Sequence, residues 1–328
     1  MQLGGLHHVS SITGDVGRNL AFYTEVLGLR LVKKTVNQDD VSAYHLFYAD
    51  RAGHAGTDVT FFDWEGMAPH RPHAGEISAV ALRVPGRAAL ENWIARLDAY
   101  GVTHGPIVER DGRAVLAFVD LEGQRLELVD DSVGNLGVPP GEAWDRGAVP
   151  AAWGIRGLAA ITITAKDLGP TDRVLTGLLG LQKVEDRVED GHPVVTYAIG
   201  PGGPGAEVRV IERPDLRSGA FVGAGGVHHA AFRAPNSEEH AAWRERMAAA
   251  GLNVTPVIDR YYFKSIYFRE PGGVLFEIAT DGPGFATDED LDHLGETLAL
   301  PPFLEPRRRQ IEANLKPIAP VALEARYS

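Results

Sequence analysis

Gly5-Leu6-His7-His8-Val9-Ser10 returns later in the chain, position for position, as Gly157-Leu158-Ala159-Ala160-Ile161-Thr162. Downstream of the first, Phe22-Tyr23-Thr24-Glu25-Val26-Leu27-Gly28-Leu29 is matched by Val174-Leu175-Thr176-Gly177-Leu178-Leu179-Gly180-Leu181. Each pair reads as a glycine-bounded apolar strand followed by a helix that closes on Gly-Leu. Asp15 stands where the first helix begins, and Leu20, Tyr23 and Leu27 share one of its faces. Three strands follow, at Leu29–Thr35, Ala43–Tyr48 and Thr57–Phe62, separated by polar and glycine turns.

Two further copies complete the pattern. One opens with Ile77–Val84, carries Leu90, Trp93, Ile94 and Leu97 on a helix face, and ends that helix at Gly101. Ala114–Asp120 and Arg125–Val129 then form a hairpin around Leu121-Glu122-Gly123-Gln124. The other opens at Gly226, with Asn236 and Glu239 as a capping box, Trp243 and Met247 on the helix face, and Gly251 as its end. Its hairpin is Ile266–Arg269 and Val274–Ala279. Repeats this short cannot each bury a core, so they must pair. The expected fold is α+β: four β-α-β-β-β modules paired into two curved, barrel-like mixed sheets with helices outside. Residues 131–153, with Ser132-Val133-Gly134-Asn135 and Val138-Pro139-Pro140-Gly141, are linker chemistry. They divide an N-terminal pair of modules (1–135) from a C-terminal pair (154–282). Residues 283–328, with Pro301-Pro302, Pro306 and Arg307-Arg308-Arg309, are expected to wrap the body as a tail with its basic run solvated.

Composition narrows the function. A chain of 328 residues with no cysteine has no disulfide, thiolate nucleophile or cysteine-ligated metal. A formal charge of −12 argues against binding the phosphate backbone of nucleic acids. No apolar run is long enough to span a bilayer, so no membrane partner is expected. Met1-Gln2-Leu3-Gly4-Gly5 lacks a basic segment followed by a hydrophobic one, so no secretion signal is read and a cytoplasmic location fits.

Alignment of the four copies locates a candidate site. Copies one and four carry His8 and His229 where copies two and three carry Ala79 and Ala160. Glu127 and Glu277 both lie four residues after a turn glycine, Gly123 and Gly273. The outer copies therefore supply two histidines and one glutamate, whereas the inner copies supply one glutamate alone. Two neutral imidazoles and a carboxylate on one face are the ligand set of non-haem Fe(II) oxygenases. Strand alternation puts Ser10 on the His8 face and Tyr267 on the Glu277 face, with His7 and His228 on opposite faces from their neighbours. Glu127, without partners, reads as structural or rim-exposed. His45, His54, His70, His73, His104, His192 and His240 show no constellation and read as surface or core residues.

His8-Val9 with Asp15 seven residues after His8, followed by Phe22–Leu29, resembles the vicinal oxygen chelate superfamily of glyoxalases and extradiol dioxygenases. Tyr44-His45-Leu46-Phe47-Tyr48-Ala49-Asp50 with Gly56-Thr57, and Asp259-Arg260-Tyr261-Tyr262-Phe263, resemble its ring-cleaving dioxygenases that open hydroquinones. So do His293-Leu294-Gly295-Glu296, Leu300-Pro301-Pro302 and Gln310–Leu315. The resemblance implies Fe(II), with Mn(II) as a substitute, held by His8, His229 and Glu277. It implies dioxygen as co-substrate and a small aromatic diol, most simply a substituted hydroquinone, as partner. His7, Ser10, His228, Arg260 and Tyr267 fall on its polar residues around the metal. Tyr267 and Arg260 are expected to hydrogen-bond substrate or oxygen, Ser10 to keep a hydroxyl there, and His228 to relay protons if it reaches the cavity. A homo-oligomer is expected. Three other readings remain: an extradiol catechol dioxygenase, a glyoxalase-like metal lyase or isomerase, and a metal-free drug-sequestering module. The lyase would want a fourth protein ligand where copy one offers Phe61 and Phe62.

Overall fold

Each repeat is one β-α-β-β-β module of the computed structural model, which describes residues 1–219, 221–319, 321–323 and 325. The first module is β1 (Leu6–Thr13), α1 (Val16–Ala21), β2 (Arg30–Asn37), β3 (Asp40–Ala49) and β4 (Asp58–Asp63). The second is β5 (Glu76–Val84), α2 (Arg87–Ala99), β6 (His104–Arg110), β7 (Arg113–Val119) and β8 (Arg125–Asp130). The third is β9 (Leu158–Ala165), α3 (Leu168–Asp172), β10 (Gln182–Glu189), β11 (His192–Ala198) and β12 (Glu207–Glu212). The fourth is β13 (Val227–Ala234), α4 (Ser237–Ala249), β14 (Ile258–Asp259), β15 (Lys264–Arg269) and β16 (Leu275–Thr280). Local chemistry sets the helix ends. Asp15 Oδ1 accepts from the Arg18 amide at 3.1 Å, and Asn236 Oδ1 accepts from the Glu239 amide at 2.9 Å. Past α1, Gly28 turns the chain at φ +68°, and Val149 fills the space a side chain would need there.

The strands form two eight-stranded mixed sheets. The outer sheet has the order β14-β15-β16-β13-β1-β4-β3-β2, so it joins the first module to the fourth. The inner sheet, β10-β11-β12-β9-β5-β8-β7-β6, joins the second to the third. At the middle of each, two module-opening strands run antiparallel, β1 against β13 and β5 against β9. A division at residues 131–153 thus follows the sequence but not the sheets, because each sheet takes one module from either side. Within each half the modules are clasped by a turn carboxylate. Asp120 accepts from the Tyr23 hydroxyl, and Glu270 from the Thr171 hydroxyl, each at 3.1 Å.

One apolar core runs through both sheets and is floored by the fully buried Trp93 and Trp243 of α2 and α4. The tail lies across the outer sheet. Leu300, Leu304, Ile311 and Leu315, the last two at α5 (Arg308–Asn314) and its end, pack on Val36 of β2. Each such burial stabilises by about 2 kcal/mol. Lys33, wholly buried, donates to the Phe285 carbonyl at 3.0 Å and Asp288 at 2.7 Å, and also reaches Glu289. No helix among the described residues is long and apolar enough to cross a membrane.

Candidate metal centre

The antiparallel register of β1 and β13 sets His8 opposite Ala231 and Ser10 opposite His229, while parallel β16 sets Glu277 beside Ala231. Three side chains from the two ends of the chain therefore meet. His229 Nε2 is 2.9 Å and His8 Nε2 3.2 Å from Glu277 Oε2, and the two Nε2 atoms are 3.3 Å apart. Glu277 has no exposed surface, and neither of its oxygens has an aligned hydrogen bond.

Backbone irregularity positions the two histidines further. The β1–β13 register shifts twice, once at His7 and once at His228. Such bulges re-aim a side chain at the cost of one residue of pairing. They bring each preceding ring onto the next: His7 Nδ1 lies 2.9 Å from His8 Nδ1, and His228 Nδ1 lies 2.8 Å from His229 Nδ1. The Thr280 carbonyl, 3.1 Å from His7 Nε2, takes that nitrogen's proton. His7 Nδ1 is then an acceptor, His8 donates from Nδ1, and His8 Nε2 keeps a lone pair facing Glu277. We assign His229 the same tautomer. Burial, reinforced by the adjacent histidine, pushes His7 and His228 down to about 3, so both remain neutral acceptors. Burial also lowers His229. Burial alone would raise Glu277; only positive charge on the side of His8 and His229 holds it well below the usual carboxylate range, and two neutral imidazoles do not carry that charge, whereas a bound cation would. Two lone pairs and an anion in van der Waals contact, without a proton between them, repel one another unless a cation joins them. The donor set fits one divalent ion.

A cavity with about 450 Å³ of empty space, mouth included, opens on these residues. Tyr267 of β15, paired across the strand with Glu277, lines it and sets its ring edge-on to His229 at 5.6 Å. Burial, Glu277 first among its neighbours, raises the Tyr267 phenol, so it stays protonated. Arg260 also lines the cavity and is forked on Asp39 at 2.8 and 3.1 Å. Gln38 donates to the Arg260 carbonyl at 2.9 Å, so the β2–β3 turn is tied to the Arg260 loop over the mouth. Tyr261 next to it holds φ +72°, a strained angle for an aromatic residue. Ser10 lines the cavity with its hydroxyl 2.7 Å from Thr60 Oγ1.

The sequence reading needs correction at several points. His228 does not line the cavity; its ring packs on Phe62 and Trp64 and on His229, so it bears on that ring and is not placed to relay protons into the pocket. The position related by the module repeat to Glu277 is Thr60, opposite Ser10, and not Phe61 or Phe62. His45, expected from the sequence to be a surface or core residue outside any constellation, lines the cavity, bonds Thr60 Oγ1 at 2.9 Å and lies between Phe47 and Phe62 at 4.0 and 4.3 Å. Burial, then His8 and His229, lowers it well below its ordinary value. His70 and His73 likewise meet Glu76, with possible ligand atoms within 4.8 Å, in the segment between the first two modules. No short-range pattern announces these contacts, since all depend on which strands lie side by side.

The inner sheet repeats the frame with other side chains. Its register sets Ala160 beside Ala81, Ala79 beside Thr162, and Glu127 beside Ala81. Ala160, Ala79 and Glu127 thus stand where the outer sheet has His8, His229 and Glu277. Arg209, beside Thr162, replaces Thr60, and Ala117, beside Glu127, replaces Tyr267. Arg110 matches Arg260 in the neighbouring hairpin, but here it turns inward and takes both oxygens of Glu127, Nη1 at 2.7 Å and Nη2 at 2.5 Å. A guanidinium neutralises the carboxylate that in the outer sheet faces two imidazoles.

The family model of the glyoxalase/bleomycin resistance protein/dioxygenase superfamily matches residues 5–135 and 157–278. A Bacillus subtilis protein provisionally named ring-cleaving dioxygenase MhqA is 46% identical over 97% of this chain and 100% of its own length. Chlorohydroquinone/hydroquinone 1,2-dioxygenase of Sphingobium indicum is 34% identical over 92% of each chain. A crystal structure of a Bacillus subtilis protein, provisionally described as a dioxygenase, superposes with a TM-score of 0.88 at 38% identity, covering 98% of this chain and 99% of that one.

Proposed function

The chain belongs to the glyoxalase/bleomycin resistance protein/dioxygenase superfamily, and from that premise we propose that it is a metal-dependent ring-cleaving dioxygenase acting on a substituted hydroquinone. His8, His229 and Glu277 are its metal ligands, for Fe(II) first and Mn(II) second. The observation that carries the reading is Glu277: fully buried and without an aligned hydrogen bond, its carboxylate within 3.2 Å of two imidazole nitrogens whose rings line the cavity. Such a carboxylate is costly to bury unless it serves a cation.

When bound, the ion supplies the Lewis acidity and one-electron chemistry through which triplet dioxygen reacts with a closed-shell ring. This chain's own residues do the rest. Phe47, Phe62 and Phe263 wall the cavity, exclude water and give an aromatic ring an apolar seat. Arg260, fixed by Asp39, and the protonated Tyr267 donate hydrogen bonds to oxygens of substrate and dioxygen. His45, kept neutral by burial and oriented by Thr60, accepts a hydrogen bond from a substrate hydroxyl. Overall, one ring carbon–carbon bond breaks and both oxygen atoms remain in the product, as a carboxylate and a carbonyl. A hydroquinone carries its second oxygen across the ring. The β2–β3 turn offers Asn37, Gln38 and Asp39 on a wall separate from the ligands.

The glyoxalase-like reading is disfavoured by Thr60, a poor ligand at the fourth position and already bonded to Ser10 and His45. Protein purified without oxygen and assayed for metal, then for oxygen uptake with hydroquinone against catechol, tests the proposal. About one iron or manganese per chain with faster uptake on hydroquinone is expected. Zinc or nickel with no oxygen uptake would overturn it, and preference for catechol would move the substrate class.

A further inference from the structure

The inner sheet carries an open cavity of its own, with Ala117 exposed in its wall and about 960 Å³ of empty space counted with its wide mouth, against 450 Å³ for the more closed outer one. Its floor holds no metal-ligand set, but it holds a guanidinium that the inner sheet does not fully satisfy. Arg209 is only 4% exposed and lines the cavity. Its Nη2 takes both oxygens of Glu189 at 2.8 Å, while its Nε is buried with no hydrogen-bond partner. A buried, under-bonded donor on a charged group costs free energy comparable to a lost charged hydrogen bond, which an acceptor reaching it would recover.

The surroundings select the acceptor. Glu127 is occupied by Arg110, and Glu189 by Arg209 and by Arg187, which lies outside the cavity and also pairs with Asp111 and Glu185. Among the lining residues, Arg110, Arg125 and Arg209 against Glu127 and Glu189 leave one positive charge in excess, beside apolar walls at Ala79, Ala117 and Ile211. Phosphate or sulfate, with two charges, would meet Glu127 and Glu189 at close range. A singly charged, planar carboxylate on an apolar skeleton meets one guanidinium edge and leaves its carbon atoms against alanine and isoleucine. The space needed for the skeleton exists because Ala117 stands where the outer sheet carries Tyr267.

We propose that the inner cavity is a second binding site, specific for a small organic carboxylate and built with alanine at the positions of His8 and His229 and arginine at the position of Thr60. It is independent of the reaction assigned to the outer cavity. Benzoate titrated calorimetrically into the metal-loaded protein, with benzamide as the uncharged control, tests it. Expected is one benzoate per chain and no benzamide. Arg209→Gln and, separately, Ala117→Trp, which fills the cavity without touching a charge, should each weaken benzoate about tenfold or more. Oxygen uptake by both variants stays at the wild-type level. Glu277→Gln, which empties the outer centre, should retain benzoate. Absence of benzoate binding at millimolar concentration overturns the proposal, as does binding that survives both inner-cavity substitutions or that vanishes in Glu277→Gln.

Discussion

The outer and inner sheets are the same object built twice, with the same strand order, the same pair of bulges and the same hairpin glutamate. They differ at a handful of floor positions. Where the outer sheet has His8, His229 and Thr60, the inner has Ala160, Ala79 and Arg209. Removing two imidazoles leaves a half-buried glutamate without those partners, and the inner sheet supplies Arg110 instead. A buried carboxylate must be joined to a cation, and the two sheets choose a metal-type site and a guanidinium. The frame sets where the charge sits; the neighbours decide which chemistry it supports.

The largest contrast comes from the paired glutamates. Glu277→Gln should lose bound metal and, with it, oxygen uptake, while the melting temperature of the metal-free protein changes little. Glu127→Gln should leave metal content and uptake at wild-type levels but lower stability by about 2 kcal/mol in a urea melt, because Arg110 loses its partner. Equal losses of uptake in both would erase the distinction between the sheets. A smaller effect is expected behind the ligands. His7→Ala, which removes the acceptor for His8 Nδ1, should weaken metal binding about 10–100-fold in a chelator competition. The matching change in the inner sheet, at Ala159, concerns a residue with nothing to hold.

The smallest effect lies at the turn clasps. Asp120 is pushed up to about 6, chiefly by burial and despite amide donors from Glu122 and Gln124. Its unfolded value is about 3.9. Between those values the folded state binds more protons than the unfolded one, so this carboxyl lets stability fall as pH rises from about 4 to about 6. Asp120→Asn removes that trend. Its melting temperature relative to wild type should therefore improve by a few degrees across the window, and a difference that stays flat with pH would show that burial of Asp120 is not what sets it.

Much of the centre was legible because it is repetitive. His8, His229 and Glu277 stand out only when the four copies are aligned, and the strand register then keeps them on one face. The contacts of His7 with His8 and of His228 with His229 were not legible, because each first residue is the one a bulge inserts, and a bulge leaves no mark in a string of apolar letters. Thr60 was hidden beside two bulkier phenylalanines. His45 gained its meaning from β3 lying next to β4, a pairing with no local signal. The strands β6 and β10 escaped for another reason. Both are sheet edges, and the Gln-Lys-Val-Glu-Asp-Arg-Val-Glu of β10 carries the charges that protect an edge instead of the apolar rhythm of a buried strand.

That the outer sheet joins the first module to the fourth has a consequence for how the protein is made. A chain leaving the ribosome N-terminus first at about 5–20 residues per second exposes His8 long before Glu277. Until the fourth module emerges, His8 has neither His229 nor Glu277 beside it. The proposed uptake of an ion by these three residues therefore waits until the fourth module has closed on the first, when the cavity walls are already in place.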